Sequence, residues 1–272
     1  ERCGGVPILI EDKWGHAVDV SKVEEAFIAH PDAKFLAFVH AETSTGACSD
    51  AQALCAVAKR HGALSIVDAV TSLAGSPLKV DEWGIDAIYS GSQKCLSAPP
   101  GLSPVSFSDA AAQVIRNRKS KVQSWFLDLS LVMGYWAGEG KRAYHHTAPV
   151  NSLYALHESL VMLQEEGLEA SWQRHRDNHN LLKQGLAELG IEFIVPEADR
   201  LPQLNAVTIP EGVDDAAVRS ALLADYNLEI GAGLGALAGK VWRIGLMGSA
   251  STQRNIDYCV AALREVLSRS EP

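Results

Sequence analysis

Apolar positions along the chain alternate between a helical rhythm and short unbroken runs. In "VSKVEEAFIAH" (20–30), Val23, Ala26 and Phe27 fall at helical spacing behind a Ser21-x-x-Glu24 capping pattern, and "AKFLAFVHA" (33–41) then reads as a buried strand. "SDAQALCAVAKRHG" (49–62) starts on a Ser49-x-x-Gln52 capping box and ends with Lys59, Arg60 and Gly62, as a helix does. Two further apolar strands follow, "ALSIVDA" (63–69) and "GIDAIYSGS" (84–92). Continuous apolar strands between amphipathic helices predict a mostly parallel sheet with helices on both faces, and in such sheets ligands bind beyond the carboxyl ends of the strands.

The rhythm changes from Ser152 to about Leu189. That stretch is helical, with Leu153, Leu156, Leu160 and Leu163 on one stripe and Gly167 as a break. Beyond it lie strands "IEFIV" (191–195) and "NAVTIP" (205–210), a helix over "DDAAVRSALLADY" (214–226) and a strand "KVWRIGL" (240–246). A last helix has Ile256, Cys259, Val260, Leu263 and Leu267 on one face. The expected organisation is α/β: a large domain over 1–166 and a smaller α+β domain over 167–272.

Composition narrows the function classes. Of 272 residues, 47% are hydrophobic and 21% charged, with no apolar run near the ~18 residues that cross a bilayer. Lys and Arg number 24 against 33 Asp and Glu, a net charge of -9 without a basic cluster, which argues against a nucleic-acid partner. The five cysteines include no C-x-x-C pair, and their odd number argues against a disulfide framework. A reducing, cytoplasmic setting is the expectation. "ERCGG" shows neither a start methionine nor a signal peptide, and "LSRSEP" matches no peroxisomal or retention address.

Candidate chemistry gathers in the polar segments at three strand ends: "HAETSTG" (40–46), "VDAVTS" (67–72) and "SGSQK" (90–94). Asp68 closes an apolar strand, where an unpaired carboxylate is costly, so it needs a cation or an N–H; capping the next helix would also serve. Lys94 could be a solvated charge, a phosphate contact or a nucleophile. Taken together they suggest more. A lysine that forms a Schiff base and an aspartate that keeps a pyridine nitrogen protonated are what a protein supplies to make pyridoxal phosphate an electron sink.

"ETSTG", "VDAVTSLAGSPLKVDEWGIDAIYSGSQKCLSAPPG", "YHHTAPVNSLYALHESL" and "KVWRIGLMG" closely resemble the class V, fold type I aminotransferases, specifically the alanine-glyoxylate and serine-pyruvate aminotransferase family. The resemblance implies a pyridoxal 5'-phosphate enzyme in which Lys94 carries the Schiff base and Asp68 pairs with the ring nitrogen. It implies that Val70 packs on one ring face, Thr43 bonds the ring hydroxyl and Gln93 contacts the phosphate. Tyr144 and Thr147 would reach the phosphate of a neighbouring subunit, which implies a homodimer, and Arg243 would take the substrate carboxylate. The implied reaction is transamination between alanine or serine and glyoxylate or pyruvate. Family members also carry an N-terminal phosphate loop and a ring-stacking aromatic without counterparts in this sequence, so the large domain is expected to be incomplete. A class V lyase such as a cysteine desulfurase, with Cys95 beside Lys94, and a non-catalytic dimerising partner are the alternatives.

Other patterns fail. "GAGLGALAGK" (231–240) has Leu234 and Val241 where a phosphate loop needs Gly and Ser or Thr, and Ala236 breaks G-x-G-x-x-G. His145-His146 lacks further ligands at metal spacing and reads as packing. His175 and His179, beside Arg174 and Arg176, read as a solvated helix face.

Overall fold

The computed structural model describes residues 1–136 and 144–269. α1 (Val20–Ala29) leads to β1 (Phe35–Val39), then to a small hairpin, β2 (Ala41–Glu42) and β3 (Ala47–Cys48). α2 (Ala51–Arg60), β4 (Leu64–Asp68), β5 (Ala87–Tyr89) and β6 (Val105–Phe107) complete a four-stranded sheet of order β1-β4-β5-β6. β1, β4 and β5 run parallel and β6 antiparallel, in line with the expected mostly parallel sheet. α1 and α2 start one or two residues away from the serines expected to cap them. Asp19 caps α1 by accepting from the Ser21 amide at 2.9 Å, and Asp50 caps α2 by accepting from the Ala53 amide at 2.9 Å. A carboxylate is a stronger acceptor for these orphan amides than a hydroxyl. Ser49 Oγ instead accepts from the Val18 amide at 3.1 Å, tying the approach to α1 onto α2.

α3 (Asp109–Arg116), α4 (Leu129–Trp136) and α5 (Val150–Glu166) follow, and α6 (Leu168–Ala187) begins after Gly167. Gly167 has φ +89, a conformation L side chains rarely adopt, which is why the helical run breaks where the sequence placed the break. Of the leucine stripe on α5, Leu156 and Leu163 pack against Cys95 and Leu96, whereas Leu153 and Leu160 are 43% and 48% exposed. On α6 the outcome is the reverse of the expected solvated face: His175 is 0% and His179 7% exposed.

The remaining elements are β7 (Leu204–Thr208), α7 (Asp215–Tyr226), β8 (Gly231–Ala232), β9 (Val241–Gly245) and α8 (Gln253–Ser268). Their sheet, of order β7-β9-β8, is antiparallel. Residues 191–195 do not form the expected strand and make a single bridge, Phe193 to Val207. The Val195 carbonyl is taken by Arg200 Nε at 2.9 Å, and Pro196 has no amide to continue a ladder. α6, α7 and α8 cover this sheet around the fully buried Trp242, Leu182, Leu222 and Leu263.

The two sheets are stitched together. The fully buried Gln203 accepts from Ser76 Oγ at 2.9 Å, and the Leu201 amide donates to the Gly46 carbonyl at 2.8 Å. Gly46, at φ +83, admits no side chain: a Cβ there would lie 2.6 Å from the Leu204 carbonyl oxygen. No described helix is long and apolar enough to cross a membrane.

Candidate active site

Strand register brings three polar tips level. Val39 pairs with Asp68 and Asp68 with Tyr89. The next residues continue the alignment: the His40 amide donates to the Asp68 carbonyl and the Ala69 amide to the Tyr89 carbonyl, both at 2.9 Å. Ser90 Oγ then donates to the Ala69 carbonyl at 3.0 Å. Asp68 Oδ1 accepts from the Val70 amide at 2.8 Å, so the carboxylate holds a turn over 70–75 rather than capping a helix. The Tyr89 phenol beside it is pushed up to about 12, by burial first and by the Asp68 carboxylate second.

Beyond β5 the chain closes a tight loop that carries Lys94. Ser92, fully buried, donates its amide to Leu102 and its hydroxyl to the Pro99 carbonyl at 2.7 Å. The Ala98 amide returns to the Ser92 carbonyl and the Ser97 amide to the Lys94 carbonyl, both at 3.0 Å. The rigid Ala98-Pro99-Pro100-Gly101 turn is thus the far side of a loop whose near side presents the lysine. Lys94 is half-buried and pairs with no carboxylate among the described residues. Gly91 fixes its surroundings, since a Cβ there would come within 2.7 Å of Gln93 Oε1 and 3.4 Å of Val70 Cγ1. Asp68, Val70, Gln93 and the Lys94 loop are therefore one cluster.

Arg243 reaches this end from the other sheet. Its Nε donates to the Ala232 carbonyl at 2.7 Å and its Nη1 to the Thr43 carbonyl at 3.0 Å. A guanidinium held by two backbone carbonyls is aimed but not neutralised, and no described carboxylate pairs with Arg243. The ordinary strand-edge ion pair is absent, and Arg243 and Thr43 are brought together. Tyr144 and Thr147 stand apart. Both are exposed, they hydrogen-bond each other, and none of their contacts among the described residues is to Asp68, Gln93 or Lys94.

His145 is buried, stacked on Trp125 at 4.1 Å between centroids, and no group of three or more metal-binding side chains occurs among the described residues. The loop over 231–240 wraps Trp14, whose ring lies on Gly235 Cα. Cys95 donates its thiol to the Thr71 carbonyl at 3.4 Å, and burial pushes it up to about 12. It is a packed thiol, whereas sulfur transfer needs an accessible thiolate. Trp14, Tyr89 and Ser97 escaped the sequence reading. Only Tyr89, at a strand tip directly opposite Asp68, left a readable signal.

Comparison with known proteins identifies the family. Residues 7–258 match the family model described as aminotransferase class-V. The chain belongs to the class V aminotransferase family. It is 43% identical over 270 residues to the alanine–glyoxylate aminotransferase of Callithrix jacchus, covering 98% of this chain and 65% of that protein. It is 36% identical over 287 residues to the (S)-ureidoglycine–glyoxylate transaminase of Bacillus subtilis, covering 99% of this chain and 68% of the relative. The crystal structure of an alanine–glyoxylate aminotransferase from Nostoc sp. superposes with a TM-score of 0.91 at 44% identity, covering 95% of this chain and 68% of that one. The chain thus spans about two thirds of the length of such relatives, and its fold is the α/β fold type I of the aminotransferases.

Proposed function

We propose that the protein of which this chain is part is a pyridoxal 5'-phosphate aminotransferase that moves an amino group between alanine or serine and glyoxylate or pyruvate. The observation that carries this reading is the level pairing of the β4 and β5 tips, which brings Asp68 toward the loop of Lys94, an amine that pairs with no carboxylate among the described residues. Glyoxylate as acceptor is supported by its place in the names of both enzyme relatives. The residues present fit the cofactor by their donor chemistry. Asp68 offers a carboxylate for a ring nitrogen, Lys94 an amine for a carbonyl carbon, Val70 an apolar face and Thr43 a hydroxyl, and Gly91 leaves room beside Val70 and Gln93 where a side chain would clash.

When bound, pyridoxal phosphate supplies a sink for the electron pair left at the substrate's α-carbon after its proton departs. Lys94 would hold the cofactor, and its amine is the group that would carry that proton. Asp68 keeps the ring nitrogen protonated, which stabilises charge that develops in the transition state rather than in bound substrate. Val70 would pack on the ring, Thr43 would hold its hydroxyl and Gln93 would take the phosphate. Arg243 takes the substrate carboxylate through donors its backbone contacts leave free. Tyr144 and Thr147 would act across a homodimer, a role their exposure supports. The residues divide into a large domain, 1–166, and a small one, 167–272. Five unpaired cysteines support a cytoplasmic setting.

The test is an amino-donor panel with glyoxylate, run on the protein with the N-terminal portion of its relatives present. Lys94→Ala is expected to lower turnover by about a thousandfold or more, and borohydride reduction of the wild type should leave the cofactor attached to the Lys94 peptide. Wild-type turnover in Lys94→Ala, or attachment at another lysine, sinks the assignment.

A further inference from the structure

α6 meets the Lys94 loop through one intervening turn. His175, fully buried, accepts from the Gly248 amide through Nε2 at 3.0 Å, so its proton resides on Nδ1 and is donated to the Ser171 carbonyl at 2.7 Å. Its neighbours hold the same turn. Arg174 Nη1 donates to the Gly248 and Ser251 carbonyls at 2.7 and 3.0 Å, and Asn178 Nδ2 to the Ser251 carbonyl at 2.7 Å. Glu166, at the end of α5, grips the other side of the Arg174 guanidinium, which orients it.

The turn so held presses on the loop. Gly248 has φ +56, and a Cβ there would overlap Ser97 Oγ and lie 2.8 Å from the Cys95 carbonyl oxygen. The Ser249 amide donates to Ser97 Oγ at 2.8 Å. Ser97 itself has φ +60, a left-handed conformation that a non-glycine residue adopts at a cost unless its surroundings impose it. Its amide in turn bonds the Lys94 carbonyl at 3.0 Å. Contacts therefore run unbroken from α6 through Gly248, Ser249 and Ser97 to the backbone that bears Lys94.

We propose that His175, with Arg174 and Asn178, is a positioning residue: through the 248–251 turn and Ser97 it sets the backbone of Lys94 and so the direction in which the lysine amine points. The proposal takes its functional meaning from the reading of Lys94 as the cofactor-bearing lysine, but its structural content does not need the cofactor. It couples helix α6, which touches none of the proposed cofactor contacts, to the residue on which the reaction depends.

The experiment is trace acetylation of the full chain without cofactor, with the modification rate at each lysine followed by peptide mass spectrometry across pH. His175→Phe removes both hydrogen bonds while filling the space, His175→Gln keeps an acceptor for the Gly248 amide, and Ser97→Gly keeps the positive φ while removing the hydroxyl. His175→Phe and Ser97→Gly are each expected to change the Lys94 rate about tenfold and leave the exposed Lys59 unmoved, with His175→Gln returning Lys94 to within about twofold of wild type. An unchanged Lys94 rate in His175→Phe overturns the proposal, as does a change that Gln fails to reverse or that Lys59 shares. Should His175→Phe fail to fold, Ser97→Gly decides alone, and an unchanged Lys94 overturns the strut. If the wild-type protein takes up no cofactor, the assignment of Lys94 falls while the labelling result still stands or fails by itself.

Discussion

α5 and α6 are consecutive helices separated by one glycine, and they set opposite kinds of side chain against the protein. α5 leaves Leu153, Tyr154, Leu160 and Met162 in the open, with Tyr154 73% exposed, and buries Ser159, whose hydroxyl bonds the Leu96 carbonyl. α6 buries Ser171, His175, Asn178 and His179 alongside Leu182 and Leu186. Ser171, His175, Asn178 and His179 each have a partner, such as Asn205 Oδ1 for His179 at 2.6 Å and Ser251 for Asn178, so their desolvation is compensated; on the same helix the buried Trp172 Nε1 has no partner among the described residues. Burial thus follows what each helix faces. α6 is held between α8 and the turns that reach the Lys94 loop, while Leu153 and Leu160 of the α5 stripe face outward. Exposed apolar side chains of this kind are what the proposed homodimer would have to cover if this face is its interface.

The contrast can be broken at either helix. Leu182, at 0% exposure on α6, is expected to cost about 3 kcal/mol or more as Leu182→Ala in denaturant unfolding; a loss under about 1 kcal/mol would mean that α6 is not the central helix of its core. Acid sharpens the same point. His40 is lowered to about 4 by burial, and burial also lowers His175 and His179. A lowered folded-state pKa means that the unfolded chain takes up the proton first as pH falls. The contribution is complete above about pH 6.5 and lost on the way down toward the folded values, with His40 alone costing about 2 kcal/mol by pH 5. Thermal melts between pH 7 and 5 should show that decline, and a flat profile would mean that these histidines are open to water. The smallest effect belongs to α5. Leu160→Asp should alter the unfolding free energy of a lone copy by no more than about 0.5 kcal/mol, yet weaken self-association about tenfold or more in sedimentation equilibrium. Unchanged association would remove this face from the proposed interface.

The parallel sheet was legible because its strands are apolar on both faces and its helices carry their own stop signals, Lys59, Arg60 and Gly62 among them. Caps were read less well, since Ser21 and Ser49 stood close to better acceptors at Asp19 and Asp50. Asp68 and Lys94 drew attention because they stand in polar segments that follow apolar strands at the edge where such sheets bind ligands. Ser97 and Gly248 left no such trace. Their importance comes from a positive φ and a contact between residues some 150 positions apart, and neither has a local signature.

Sequence by itself determined the alternation of strands and helices, the break at Gly167 and the residue types at the strand tips, because each depends on neighbours within a few positions along the chain. Tertiary structure decided which faces are covered: that two histidines on α6 are core and two leucines on α5 are surface, and that the Arg243 guanidinium is aimed by the Thr43 carbonyl from across 200 residues. Burial is a property of what packs against a side chain, and hydrophobicity states only what that side chain would prefer.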